Sequence, residues 1–146
     1  MGVEIEKKFL VRDDSFKLMA ECSCRIRQGY LCREPERTVR IRIRDGKGFL
    51  TVKGKNQGAS RLEFEYEIPV ADAEEMLKLC AGKILDKTRY IVNYKGYTWE
   101  IDEFYNLDKP LTVAEIELPS VDAEFEIPLF IGEDVTGDPR YYNSML

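Results

Sequence analysis

Like-charged side chains recur two residues apart in this chain, and six of these pairs stand out: Glu4/Glu6, Arg40/Arg42, Glu63/Glu65, Lys87/Arg89, Glu100/Asp102 and Glu115/Glu117. Positions i and i+2 of a β-strand point to one face, so each pair presents two charges side by side wherever its segment is extended. Arginine and lysine suit the several oxygens of a phosphate chain. Paired carboxylates without imidazole or thiolate suit a hard cation such as Mg²⁺ or Mn²⁺. The two halves together point to a metal-bound polyphosphate. The chain has no histidine, which removes the Ser-His and Cys-His nucleophile pairs and the commonest general base. Chemistry must run on carboxylates, lysine, arginine, tyrosine and metal. No segment reads G-x-x-x-x-G-K-[ST], so a P-loop is absent.

The elements that must position these pairs read mostly with period two. Val3, Ile5 and Phe9 alternate with Glu4, Glu6 and Lys8. Asp13 and Asp14 offer a cap for a short helix through Phe16, Leu18 and Met19. A segment from Ile26 to Leu31 precedes the strand Thr38 to Arg44, where Val39, Ile41 and Ile43 oppose Arg40, Arg42 and Arg44. Asp45-Gly46 predicts a tight hairpin into the strand Phe49 to Lys53. Arg61 to Pro69 alternates Leu62, Phe64, Tyr66 and Ile68 with Arg61, Glu63, Glu65 and Glu67. Ala71 to Cys80 has helical spacing, with Gly82 as a stop. Strands are expected at Leu85 to Tyr94, Tyr97 to Glu103 and Leu111 to Leu118, with Lys95-Gly96 as a turn. Val121 to Phe130 is a short amphipathic stretch in which Pro128 limits any helix, and Asp138-Pro139 reads as a helix opening.

At 146 residues, 44% apolar, the chain supports one hydrophobic core and is read as one domain over residues 1–146. A net charge of −5 argues against nucleic acid or an anionic membrane held by bulk electrostatics, so a polyanion needs a local site. No signal-like or bilayer-spanning apolar run occurs, which makes a cytoplasmic protein the expectation. Cys22, Cys24, Cys32 and Cys80 lack paired zinc spacing and are read as reduced thiols.

One charged face could be an ordinary solvated surface with cross-strand ion pairs. Repetition on every strand favours a closed antiparallel barrel, with the charged face inside and the apolar face covered by helices near 16–22, 72–80 and 121–130. So many interior ions cost too much to serve stability, so the interior must be solvated and filled by ligand.

Glu4-Ile5-Glu6-Lys7-Lys8 resembles the E-x-E-x-K opening of the CYTH superfamily, the triphosphate tunnel metalloenzymes. The ordered train behind it strengthens the resemblance: QGYL at 28–31, VRIR at 39–42, LTVKG at 50–54, R-x-E-x-E at 61–65, KTRY at 87–90, EID at 100–102 and AEIEL at 114–118. The tail from Gly132 to Tyr142 and Asn143 is similar to short bacterial members. The resemblance implies a mainly β, α+β fold with an eight-stranded antiparallel tunnel, and metal-dependent hydrolysis of a small linear triphosphate, inorganic tripolyphosphate first. Adenylate cyclase, nucleoside or thiamine triphosphatase, and a noncatalytic polyphosphate-binding module are alternatives that fold alone does not separate. By motif position it implies that Glu4, Glu6, Glu115 and Glu117 hold the metal, with Glu100 and Asp102 in the metal or supporting shell. Lys8, Arg40, Arg42, Lys53, Arg61, Lys87 and Arg89 would grip phosphate oxygens. Glu63 and Glu65, with Lys8, would serve the attack of water, and Tyr30 would close over the tunnel. The expected partner is the small-molecule triphosphate, with the chain as monomer or homodimer.

Overall fold

The computed structural model describes residues 2–146. Among these described residues nine strands run in chain order: β1 (Val3–Val11), β2 (Cys22–Glu34), β3 (Arg37–Arg44), β4 (Lys47–Gly54), β5 (Ser60–Ile68), β6 (Ala81–Tyr94), β7 (Tyr97–Phe104), β8 (Leu111–Glu117) and β9 (Ile131–Asp134). Two α-helices, α1 (Phe16–Met19) and α2 (Val70–Leu79), interrupt them. The sheet order is β5-β4-β3-β2-β6-β7-β8-β1-β9, and a β5–β1 pairing closes eight strands into an antiparallel barrel. Val3 to Ile5 of β1 pair with β5, and Glu6 to Leu10 pair with β8. β1 is therefore the seam, and β9 adds to it from outside the closed ring.

Two hairpins follow the turn chemistry of their residues. Asp45 and Gly46 have φ of 53° and 74°, and Lys95 and Gly96 have 51° and 85°. These consecutive positive values belong to the mirror-image turn whose twist matches that of the flanking strands. The register that results sets Arg42 opposite Phe49 and Arg89 opposite Asp102.

The apolar faces build two cores outside the barrel wall. Phe9, Val92, Trp99, Ile101, Ala114 and Ile116 pack with Phe16 of α1 and with Phe130. Ile41 packs beneath Ala73 and Leu77 of α2. Residues 119–130 contribute Phe125 and Phe130 as irregular chain rather than as the expected covering helix. Pro119 and Pro128 bracket the segment, and a proline lacks the amide that a helix requires. α1 likewise ends at Met19, because Glu21 N–H already donates to Ile91 C=O at 3.0 Å and starts β2. Val3, Leu62, Phe64 and Tyr66 on the outer face of β1 and β5 stay exposed, so the helices cover the apolar wall only in part.

A third cluster lies inside the barrel. Leu10, Leu85, Phe104 and Val113 each continue, two positions on, the strand face that carries Lys8, Lys87, Asp102 and Glu115. With Tyr141 and Leu146 from the tail they fill one end of the interior. The charged interior expected from the sequence is thus confined to the remainder. No helix among the described residues is long and apolar enough to cross a membrane.

Candidate active site

Strand register brings the charge pairs into one lumen. Glu6 lies opposite Glu117 and Lys8 opposite Glu115 across β1 and β8, and Glu115 in turn lies opposite Glu100 of β7. Tyr30 and Thr51 flank Arg40 from β2 and β4, and Lys53 lies opposite Glu63. Two cavities that share lining residues result. One is lined by seven glutamates, namely 4, 6, 63, 65, 100, 115 and 117, and by Arg40, Arg42, Arg44, Lys53 and Arg89. The other has Lys8, Arg40, Lys53 and Arg61 against only Glu6 and Glu115, together with Tyr30 and the tail residues Thr136, Gly137 and Tyr142 to Ser144. Glu6, Arg40, Lys53, Glu115 and Asn143 line both and so form the waist between an acidic and a basic half.

In the acidic half Lys53 Nζ donates to both Glu4 oxygens at 3.0 and 3.3 Å and stands 3.4 Å from Glu63. One lysine serves two carboxylates while further glutamates crowd round it. Burial, then Glu115 and Glu4, push the Glu6 carboxyl well above its usual range. Burial and the charges of Glu4, Glu63 and Glu100 raise Glu117. For Lys53, burial and Arg40 disfavour the charged form, yet Glu6, Glu4 and Glu63 outweigh them and raise its pKa. The half carries excess negative charge.

The basic residues are held by polar neighbours. Arg40 Nη2 donates to Thr51 Oγ1 at 3.1 Å and to Glu65 at 3.3 Å, and Thr51 donates to Glu65 at 2.8 Å. Arg42 Nε donates to Gln28 Oε1 at 3.1 Å. Arg61 is tied to the carbonyl of Gly54 through two N–H groups at 3.1 and 2.8 Å. Lys8 Nζ lies 3.6 Å from Glu115 and donates to the Tyr141 carbonyl at 2.9 Å.

Lys87 and Asp102 are the two expected site residues that line neither cavity. Both are fully buried, with Lys87 Nζ 2.7 Å from Asp102 Oδ2 and Arg89 forked onto the same carboxylate at 2.7 and 2.9 Å. Burial alone would raise the Asp102 carboxyl, but Arg89 and Lys87 hold it well below the usual range. Burial pushes Lys87 down to about 7 despite Asp102 beside it. Asp102, with both oxygens on cations, belongs to the support of Arg89 rather than to the acidic lining.

Thr51, Gln28, Arg44 and Asn143 were not among the expected site residues. Thr51 is two positions from Lys53 and Gln28 two from Tyr30, so the period-two rule finds them once uncharged polar residues are admitted. Arg44 extends the Arg40/Arg42 face. Asn143 carries no periodic signal, since its segment is a pair of 3₁₀ turns.

Among the described residues no three carboxyl-bearing side chains gather at the spacing of a metal shell; lysines and arginines reach between them. The donor set still fits a hard divalent cation. Glu6, Glu63 and Glu117 each have neighbouring carboxylates among the causes that raise their pKa, a strain that a cation among oxygen ligands relieves.

The CYTH domain pattern matches residues 2–142. The chain belongs to the CYTH domain family. A protein of Acetivibrio thermocellus called inorganic triphosphatase is 50% identical over 147 residues, covering 100% of this chain and 94% of its own length. One of the same name from Nitrosomonas europaea is 36% identical, over 98% and 95%. A crystal structure of an inorganic triphosphatase superposes on this CYTH chain with a TM-score of 0.70 at 34% identity, covering 99% and 94%.

Proposed function

We propose that this CYTH chain hydrolyses inorganic tripolyphosphate to pyrophosphate and phosphate with Mg²⁺ or Mn²⁺. The observation that carries the reading is the single lumen divided into a glutamate-rich half and a cation-rich half. The two relatives called inorganic triphosphatase support it. Glu4, Glu6, Glu115 and Glu117, with Glu100 beside them, would hold the cation, which when bound offsets phosphate charge and polarises a phosphoryl oxygen.

This chain's own residues do the rest. Arg40, Arg42, Lys53 and Arg89 at the waist and in the acidic half, with Lys8 and Arg61 in the basic half, grip the phosphate oxygens. Glu63 and Glu65 orient a water and receive its proton as its oxygen bonds to a terminal phosphorus. The bridging P–O bond breaks and its electron pair leaves with pyrophosphate, whose charge the bases neutralise. Lys87 and Asp102 fix Arg89, and Tyr30 walls the basic half.

The test is phosphate release from tripolyphosphate, ATP and pyrophosphate with Mg²⁺ and then Mn²⁺, with chromatography for cyclic AMP. Fast cleavage of tripolyphosphate, lost in Glu4→Gln, is expected. Cyclic AMP as the product, or tight binding with no product under either metal, would overturn the proposal.

A further inference from the structure

The C-terminal segment is fastened to β1 at the end away from the acidic half. Lys8 N–H donates to Thr136 Oγ1 at 2.9 Å, Val135 N–H donates to the Lys8 carbonyl at 2.9 Å, and Lys8 Nζ donates to the Tyr141 carbonyl at 2.9 Å. Tyr141 and Leu146 pack on the apolar floor of the barrel. Between these anchors stands Asn143, the only tail residue that lines both cavities. Its Oδ1 is buried and has no hydrogen-bond partner among the described residues. Buried polar atoms are nearly always paired in folded proteins, so an unpaired end of an amide beside a ligand cavity marks a group whose partner arrives with the ligand.

We infer that Asn143 is a substrate-contacting residue of the waist. A carboxamide has two N–H donors and an acceptor, so Nδ2 donates to a phosphoryl oxygen while the unpaired Oδ1 accepts from a water that travels with the chain. It adds donors without adding charge at a waist that also holds Arg40, Lys53, Glu6 and Glu115. The tail is then part of the binding site and not only a stopper for the barrel. This inference rests on the triphosphate reading of the lumen.

The experiment compares wild type, Asn143→Ala, Asn143→Asp and Asn143→Gln in tripolyphosphate turnover, in binding of tripolyphosphate by calorimetry, and in thermal unfolding. The exposed tail variant Met145→Ser is the control. Asn143→Ala should raise KM and Kd about tenfold, the size of a lost hydrogen bond to a charged group. Asn143→Asp should raise them further through repulsion, and Asn143→Gln should recover part of the loss, all with Tm near that of wild type. Unchanged KM and Kd in both Ala and Asp, or a loss that follows Tm alone, would overturn the inference and leave hydrolysis standing. Weakened binding in these variants of a protein that cleaves no triphosphate would instead overturn the hydrolysis and leave Asn143 in place.

Discussion

Asp102 and Glu6 both point into the barrel, Asp102 without any exposed surface and Glu6 partly open, and their protons are held in opposite ways. Asp102 takes three hydrogen bonds from two cations and stays ionised. Glu6 is pushed towards its protonated form by burial and by Glu115 and Glu4. The first group is complete within the chain; the second has more carboxylates than its lysine can serve. A buried ion pair with every oxygen engaged stiffens the wall. A set of carboxylates left in excess keeps affinity for a cation from outside. Structure and chemistry are thus divided between two charge clusters, one on β6 and β7 and the other centred on β1 and β8.

The sharpest way to break this comparison is Asp102→Asn. It strands Lys87 and Arg89, so a loss of about 3–5 kcal/mol of stability is expected by chemical denaturation. A loss under about 1 kcal/mol would show that the cluster is not structural. Glu4→Gln and Glu117→Gln should do the reverse, lowering turnover about a hundredfold, as when one preorganised electrostatic contact is removed, while the unfolding midpoint holds or rises. Unchanged turnover in both would take them out of the metal site.

Arg42→Ala should raise KM for tripolyphosphate about tenfold with less effect on kcat, since its guanidinium is placed to bind rather than to react. Normal affinity in that variant would remove Arg42 from the site. The smallest effect is in protons. Because burial, Glu115 and Glu4 raise the Glu6 carboxyl, cation binding should displace any proton it holds. Proton release on Mg²⁺ uptake, read by calorimetry in buffers of different ionisation enthalpy, should grow as pH falls into the mildly acidic range, and apparent affinity should weaken in step. Release that shrinks with falling pH would contradict the excess-acid picture.

Most of this lumen was legible because charge alternated with apolar residues on strand after strand. Glu4/Glu6, Arg40/Arg42 and Glu63/Glu65 needed only the two-residue repeat to be set on one face, and the same rule sets Trp99, next to Glu100, on the opposite face, where the structure buries it. The apolar floor was not foreseen, although Leu10, Leu85, Phe104 and Val113 lie on those faces, because a hydrophobic residue on a charged face looks like a break in the pattern. β2 and β6 begin earlier than their apolar alternation does. The early part of β6 passes through Gly82 at φ 76°, where a Cβ would stand 2.2 Å from Arg33 Nη1, and such local geometry leaves no periodic trace. Asn143 depends on where a non-repetitive tail docks, which only the packing of Tyr141 and Leu146 decides.

The seam at β1 has a consequence for how the molecule is made. Lys8 bonds to Thr136, 128 positions later, and β1 also needs β5, β8 and β9 as partners. Contacts so distant in sequence are slow to form, because the entropy of closing the intervening chain is lost before any of them is gained. A growing polypeptide therefore leaves the ribosome with its first strand unsatisfied on both edges. The acidic ring, to which that strand contributes two carboxylates, comes into being only once β8 has been made.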